Sequence, residues 1–208
     1  MQAVHRRRAL EGRTMRSGDI FPESGSRLPP IERAALDPAG QATYDDVAGD
    51  SRSLVGFRGP AGIMLHSPQL YALTRKVNQF LRFESGLDPR LRELMILVAA
   101  REMDAHFEWN AHETVAAREG LEPEIIDIVL HRKRTRGLAE REAVIIKLGR
   151  EAIGKHRVRR STYAKAIELF GAETLVNLTS LMGTYASTAI LLAVFAQQLP
   201  DGATSRLA

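Results

Sequence analysis

The chain has 208 residues, no cysteine and a formal net charge of +4. The lack of cysteine excludes disulfides, thiolate metal sites and cysteine nucleophiles. Its 44% hydrophobic and 26% charged residues are typical of a globular protein, and because no apolar, signal-type segment opens the chain, we expect it in the cytoplasm.

Much of the basic excess lies near the N-terminus, where glycine, serine and proline also abound and no apolar periodicity is seen. We therefore predict a flexible basic arm over residues 1–30, a helical domain over 31–202 and a short tail over 203–208. A helical DNA-binding regulator is the alternative that the charge suggests. It needs a helix-turn-helix, and the first third of the chain is rich in proline and glycine instead, so we predict no nucleic-acid partner.

In chain order, four helices are predicted to begin where proline follows a polar residue, at Asp37, Ser67, Asp88 and Glu122. The first runs to about Ala48. The glycine-rich loop over residues 49–62 comes next, and a loop of this length often borders a pocket, although an arm on a neighbouring subunit is as good an interpretation. The second helix ends near residue 85, and the fourth continues to about residue 130.

Further helices are predicted at residues 104–120, capped by Asp104, and at 138–153, 161–171 and 172–198. No segment alternates with a period of two, so the fold class is all-α. Residues 175–196 carry no charged side chain and are long enough to cross a bilayer. Polar residues are spread through them, so we predict a helix buried within the protomer and against partner subunits, with no membrane contact.

Glu108 and His112 form the most informative pair, because an i, i+4 spacing places them together on one helix face. That face also carries small apolar residues, which indicates an inward orientation. Buried carboxylates and imidazoles need partners, and Glu93, on the preceding helix, is the nearest candidate in sequence. The three residues are candidates for acid/base catalysis.

Other interpretations of these residues remain open. Glu108 and His112 can be a purely structural pair. A metal site is disfavoured because His106 lies about 240° round the helix from His112, so the two rings face apart. Arg92 and Arg101 flank Glu93 and are candidates for binding an anionic substrate, although solvated arginines are the commoner case. Side chains of the last helix, with Tyr185 as the candidate, are expected to help select the substrate.

An ordered set of motifs resembles the carboxymuconolactone decarboxylase family, in particular its longer bacterial members. The motifs are RLRELMIL at 90–97, FEWNAHE at 107–113, GL at 120–121 with EII at 124–126, STY at 161–163, FG at 170–171, GTY at 183–185 and LPDG at 199–202. The resemblance covers about residues 27–202. It implies an alkylhydroperoxidase D-like helical bundle that assembles as a homotrimer or homohexamer.

The family's peroxidase branch has a glutamate, a C-x-x-C pair and a histidine four residues after the second cysteine. Carried over to this chain, the glutamate is Glu93 and the histidine is His112, but the cysteine positions hold Ala105 and Glu108. Without a thiolate there is no group to attack a peroxide, so we predict no thiol peroxidase activity.

The decarboxylase branch converts a carboxylated muconolactone into an enol-lactone without a cofactor. The resemblance therefore implies a cofactor-free lyase for a small anionic lactone or ring-cleavage product. We expect His112 to donate the proton, Glu108 to orient His112, and Glu93 to act as a second acid/base or to hold the substrate. The alternative is a remodelled family member that binds a ligand or serves as a scaffold without turnover.

Overall fold

The computed structural model describes residues 19–207, and in that range it is all-helical, as predicted. Its helices are α1 (Pro38–Ala48), α2 (Pro60–Met64), α3 (Pro68–Gln79), α4 (Pro89–Glu102), α5 (His106–Arg118), α6 (Pro123–Leu130), α7 (Glu140–Gly149) and α8 (Arg160–Val194). A π-helical turn at Phe80–Glu84 extends α3, and a second at Arg150–Gly154 extends α7. Within the described range, β pairing is limited to one isolated bridge between Phe21 and Ser26.

All four helices that were predicted to begin at a proline do so, but their first turns are stabilised in two different ways. Asp37 and Asp88 cap their helices by accepting hydrogen bonds from the backbone amide three residues later, at 2.7 and 3.0 Å. Ser67 and Glu122 make no such side-chain bond. At those two helices the proline in the first turn, with its fixed φ angle, marks the start by itself.

The predicted cap at Asp104 is wrong. Helix α5 begins at His106, and Asp104 lies in the joint after α4 with a φ of 48°. A joint of three residues must reverse the chain, and aspartate tolerates this left-handed conformation. Its carboxylate accepts a hydrogen bond from Arg101 instead of capping the helix. The tight joint brings α4 and α5 into contact along their lengths.

Helix α4 is the centre of the fold. All ten residues from 91 to 100 are buried, and the helix packs against α5, α6, α7 and α8. A helix surrounded in this way places even its polar side chains in the interior. Glu93 is therefore completely excluded from solvent, and the surrounding fold has to supply its hydrogen bonds.

Helix α8 is broken at Gly171, where the backbone adopts φ 72° and ψ 175°, which is close to the predicted boundary between two helices. Within the protomer the second half buries one face and exposes the other, and the predicted contact of the exposed face with partner subunits stays a prediction. Val176, Ile190 and Val194 are each more than half exposed. Among the described helices, α8 alone is long and apolar enough to cross a membrane by length and composition, a test that core helices also pass.

Helix α3 and the π-helical turn that extends it expose four large apolar side chains. Leu70, Leu73, Val77 and Phe80 are between 46% and 65% exposed. Exposed apolar side chains therefore occur on both α3 and α8.

Both ends of the described chain pack more tightly than predicted. Residues 19–30 were assigned to the arm, yet the Arg27 amide donates to the Phe195 carbonyl (2.8 Å) and the Gln198 amide donates to the Gly25 carbonyl (2.7 Å). In the predicted tail, Leu207 is only 3% exposed and belongs to the main core. The remainder of the predicted arm, residues 1–18, lies outside the described residues.

The predicted loop over residues 49–62 ends in a helix that the sequence did not reveal, α2. Its Ile63 packs with Phe107 of α5 and Leu192 of α8 in a small second core. Gly62 lies so close to the preceding chain that an added Cβ would be 2.1 Å from the Phe57 carbonyl oxygen. The loop is thus anchored against α5 and α8.

Candidate active site

A cavity of about 760 Å³ lies between α3, α5, α8 and the loop that leads to α2. Residues 52–56 of the loop form part of its wall, in agreement with the expectation that the loop borders a pocket. Most of the lining is apolar. Near its base, Glu108, His112 and Tyr185 contribute polar groups.

Both ring nitrogens of His112 are occupied. Nδ1 lies 2.8 Å from Oε2 of Glu93, and Nε2 lies 3.1 Å from the hydroxyl of Tyr185. The two rings meet edge to face, with centroids 5.0 Å apart and an interplanar angle of 87°. In neutral imidazole the Nδ1–H donates to the carboxylate and Nε2 accepts from the phenol. The imidazole is therefore fixed in one orientation.

Glu93 orients His112 from the side away from the cavity. Its other carboxylate oxygen accepts a hydrogen bond from Nε of Arg92 at 3.0 Å. Burial by itself would raise the pKa of Glu93, but the hydrogen bond from His112 and the charges of Arg92 and Arg82 outweigh burial and hold the pKa below its usual value. Glu93 is therefore an anion that holds the ring.

Of the two glutamates beside His112, Glu108 is the one that lines the cavity. Its Oε2 lies 3.9 Å from Nε2 of His112, beyond hydrogen-bond distance, and it accepts no hydrogen bond from the described residues. Burial raises its pKa, and the nearby His112 and Arg82 only partly oppose this shift. A raised pKa favours the protonated carboxylic acid, the form that can give a proton to a bound molecule.

Tyr185 completes the group from α8, 73 residues after His112 in the sequence. The side chain is buried, and burial raises the pKa of its phenol, so the hydroxyl stays protonated. The sequence suggested Tyr185 as a substrate contact, and it does line the cavity. Its hydrogen bond to His112 carried no sequence signal, because it depends on how α8 packs against α5.

The two candidate arginines do not line the cavity. Arg92 is buried behind Glu93 and also donates to the carbonyl of Arg82 at 2.7 Å. Arg101 donates to the Leu130 carbonyl at 2.6 Å and so ties α4 to the end of α6. Both make structural contacts, and the arginines that line the cavity are instead Arg52, Arg75 and, from the π-helical turn after α3, Arg82.

The structure thus brings Glu93, Glu108, His112 and Tyr185 together, with the carboxylates in positions that differ from those expected. Glu93, not Glu108, makes the hydrogen bond to His112. Within residues 19–207 there is no cluster of three histidine or acidic side chains arranged to hold a metal ion. The contacts suit a proton-transfer site: an acid open to the cavity beside an imidazole that is held from both sides.

Comparison with known proteins gives one family match, which covers part of the chain. Residues 68–148, which contain α3 to α6 and most of α7, match the model of the carboxymuconolactone decarboxylase family. None of the curated proteins compared with the chain matches it.

Three solved structures share the fold. An uncharacterised peroxidase-related protein from Ralstonia eutropha with an alkylhydroperoxidase core covers 85% of this chain and 93% of its own, at 15% identity and a TM-score of 0.67. A protein of unknown function from Agrobacterium tumefaciens, associated with antioxidant defence, covers 66% and 94%, at 17% identity and 0.60. The debrominase Bmp8, bound to 2,3,4-tribromopyrrole, covers 83% and 90%, at 10% identity and 0.61.

Proposed function

We propose that this chain, whose residues 68–148 match the carboxymuconolactone decarboxylase family model, is a cofactor-free carboxy-lyase or a related proton-transfer enzyme for a small anionic lactone or ring-cleavage product. One observation carries the proposal. Glu108 is a buried carboxyl group with a raised pKa and no hydrogen-bond partner among the described residues, and it lines the cavity beside His112.

The chemistry needs only a proton donor. When a carboxylated lactone loses carbon dioxide, the electron pair of the broken carbon–carbon bond is delocalised into the conjugated lactone as a dienolate. Protonation of carbon then gives the enol-lactone, so one proton is consumed for each carbon dioxide released. We assign that proton to the carboxylic acid of Glu108, which becomes a carboxylate in the step.

His112 then returns a proton to Glu108. Its Nε2 is 3.9 Å from Glu108, so the proton can pass through this nitrogen once the Tyr185 hydroxyl, which donates to Nε2 in the resting site, turns to accept from it. This assignment exchanges the roles expected from the sequence, in which His112 was the donor and Glu108 held the ring. The exchange is favoured by the 2.8 Å bond from Glu93.

A thiol peroxidase is chemically excluded even though two of the structurally similar proteins carry a peroxidase or antioxidant description. The chain has no cysteine, and peroxide reduction of that type needs a thiolate that is oxidised and then regenerated through a disulfide.

The second candidate is a protein of the same fold that binds a ligand without turnover. The observation in its favour is that Nε2 of His112 is already occupied by Tyr185, so the imidazole has no free position for a substrate. The first candidate is favoured because it assigns the direct proton transfer to Glu108, whose carboxyl group is not occupied.

We also propose that the protein is a homotrimer or homohexamer. Support comes from the apolar surface of α3 and α8, where Leu73 and Val176 are 65% and 62% exposed. Burial of such a surface against other subunits is the usual way for a chain of this size to cover it.

The experiment is to incubate the purified protein with carboxylated lactones and β-keto acids while carbon dioxide release is followed. Glu108→Gln should lower turnover by roughly 10²–10⁴-fold, the usual contribution of a positioned proton donor. Glu113→Gln is the matched control: the same change on the same helix, at a residue that pairs with Arg206 and does not line the cavity. If no substrate yields carbon dioxide while a lactone binds, the ligand-binding candidate replaces the enzyme. Full activity in Glu108→Gln would remove Glu108 from the mechanism.

A further inference from the structure

We infer that the chain has a second binding site, a cationic cleft that binds a polyphosphate chain. The cleft lies between the α6–α7 connection, α7 and the segment that joins α7 to α8. No residue that lines it also lines the cavity of Glu108 and His112. The inference therefore goes beyond the proposed function and does not depend on it.

Two short basic runs lie on either side of α7 in the sequence. The first is HRKRTR at residues 131–136, and the second is KHRVRR at residues 155–160. The structure brings parts of both runs to one cleft of about 520 Å³, to which α7 and the π-helical turn after it add further cations. The cations that line the cleft are Arg134, Arg136, Lys147, Arg150, Lys155 and Arg159.

The acidic side chain in the lining, Glu151, is already compensated. It is buried, and it accepts hydrogen bonds from the backbone amide and from Nε of Arg159 at 2.9 and 2.6 Å. Burial alone would raise the pKa of Glu151, but the hydrogen bonds from Arg159 and Thr162 hold this pKa below its usual value. The Glu151 carboxylate therefore balances Arg159 and leaves the charges of the other cleft cations in place.

Arg150 is the partly buried cation of the cleft, and its guanidinium is fixed. Nη1 and Nη2 donate to the backbone carbonyls of Lys133 and Ile128 at 2.7 and 2.8 Å. Burial lowers the pKa of Arg150, the charge of Glu102 opposes this shift, and Arg132 adds to it. Glu102 is itself paired with Arg132 at 3.3 Å. The carbonyl acceptors thus hold Arg150 in position without cancelling its charge.

The four remaining cleft cations make no ion pair and no side-chain hydrogen bond within residues 19–207. They are Arg134, Arg136, Lys147 and Lys155, and all four are exposed. Each of them alone would be an ordinary solvated side chain. Around one concave space, however, their like charges add to a positive potential that concentrates anions. A ligand with several negative charges can contact more than one of them at once and relieve their repulsion.

The lining favours a polyphosphate over other anions. All of the described residues that line the cleft are charged or, at Thr135, carry a hydroxyl. Apolar contact and stacking of a nucleobase on an aromatic ring therefore contribute nothing there. A cleft of this volume suits a small molecule better than the long backbone of a nucleic-acid duplex. Arginine binds phosphate oxygens through paired donors and lysine as a point charge, and a polyphosphate carries more charge in a given volume than carboxylates do.

The test is titration calorimetry of the full-length protein with inorganic triphosphate, without magnesium and at about 0.15 M ionic strength, where weak surface attraction is screened. We expect a single saturable site per chain. ATP should bind at least as tightly, and adenosine should not bind. Equal affinity for triphosphate and ATP identifies a free polyphosphate as the ligand, whereas tighter binding of ATP identifies a nucleotide. Absence of saturable triphosphate binding, or tighter binding of a short DNA duplex, would overturn the inference.

The double variant Arg134→Gln with Lys147→Gln should weaken triphosphate binding about 10- to 100-fold, the range for loss of charged hydrogen-bonding partners. Lys76→Gln with Arg118→Gln is the matched control. It removes the same two residue types at exposed positions outside the cleft that also lack an ion pair within the described residues. Its affinity should stay within about twofold of the wild type, because distant exposed charges are screened. Equal weakening by both variants, or undiminished binding by the cleft variant, contradicts the assignment.

Thermal unfolding supplies a second readout. The cleft variant should melt at the wild-type temperature or above it, since it removes like charges from exposed positions. Triphosphate should raise the melting temperature of the wild type and of the control variant, but much less that of the cleft variant. Should the cleft variant fail to fold, Lys155→Gln decides, with Lys76→Gln as its control. It should weaken binding about threefold to tenfold, and no difference from its control would end the proposal.

Discussion

Exchanging glutamate for glutamine should have opposite effects on stability at the two carboxylates of the site. Glu93 accepts hydrogen bonds from His112 and Arg92 at 2.8 and 3.0 Å and is completely buried. Glu93→Gln leaves the buried Arg92 with only the longer ion pair to the partly exposed Glu119, at 3.7 Å, and breaking a buried pair costs about 3–5 kcal/mol. At about 2–4 °C per kcal/mol for a protein of this size, the melting temperature should fall by about 6–20 °C.

Glu108→Gln should be neutral or stabilising, because Glu108 gives up no hydrogen bond to the described residues while its charged form is penalised by burial. The direction of the pKa shift determines how this effect on stability changes with pH. The folded-state pKa of Glu108 is raised, so its contribution to stability is complete below the ordinary glutamate pKa of about 4.3 and is lost as pH rises towards the folded value. The advantage of glutamine should therefore grow as the pH rises above the ordinary glutamate pKa.

The opposite holds for Glu93, whose pKa is lowered. Its stabilisation is present above the ordinary glutamate pKa and is lost as pH falls through the lower folded value, so the cost of Glu93→Gln should be complete at pH 7 and shrink in acid. Thermal unfolding followed by circular dichroism, at one protein concentration for all variants, measures both effects. Equal destabilisation by the two substitutions, or an effect of Glu108→Gln that does not change with pH, would refute this account of the site.

Three further predictions concern the rest of the molecule. Peroxide consumption coupled to a dithiol reductant should stay at the buffer rate, because the chain has no cysteine; a metal-free preparation that exceeds that rate must use another redox group. Light scattering should give a mass several times 23.0 kDa, and replacing Leu73 and Val176 together by glutamate should reduce it; a wild-type monomer at micromolar concentration rules out the assembly. Gly62→Ala should lower stability by about 1–3 kcal/mol, as overpacking does, since the new Cβ would meet the Phe57 carbonyl; unfolding at the wild-type temperature would contradict that close packing.

Much of the fold could be predicted because several helix boundaries are determined by residues that are adjacent in the sequence. Aspartate followed by proline acts within one turn, so the starts after Asp37 and Asp88 follow from two adjacent residues. Helix α2 escaped prediction because its five residues are too few to show a period and are held by contacts with α5 and α8. The prediction of a helix cap at Asp104 failed because aspartate is suited both to a cap and to a joint with left-handed backbone conformation.

In the site, too, some contacts follow from the local sequence and others depend on how the helices pack. That Glu108 and His112 adjoin follows from helical spacing, and the short joint after α4 brings Glu93 near them. Which carboxylate bonds the ring depends on how the imidazole is oriented, with Nδ1 2.8 Å from Glu93 and Nε2 3.9 Å from Glu108, and helical spacing alone does not fix that orientation. Tyr185 and Arg82 come from elements far apart in the sequence, and their arrival at one cavity is a property of the assembled helices.

The break in α8 at Gly171 also affects which changes in chain length the site can survive. Each residue added to a continuous helix turns everything beyond it by about 100°, so a single insertion between Gly171 and Tyr185 would swing the phenol away from His112. An insertion on the N-terminal side of Gly171 meets a point where the helical hydrogen-bond ladder is already interrupted, and the irregular backbone there can absorb it. The glycine thus acts as a register boundary, and related chains should vary in length before it and hold their length constant after it.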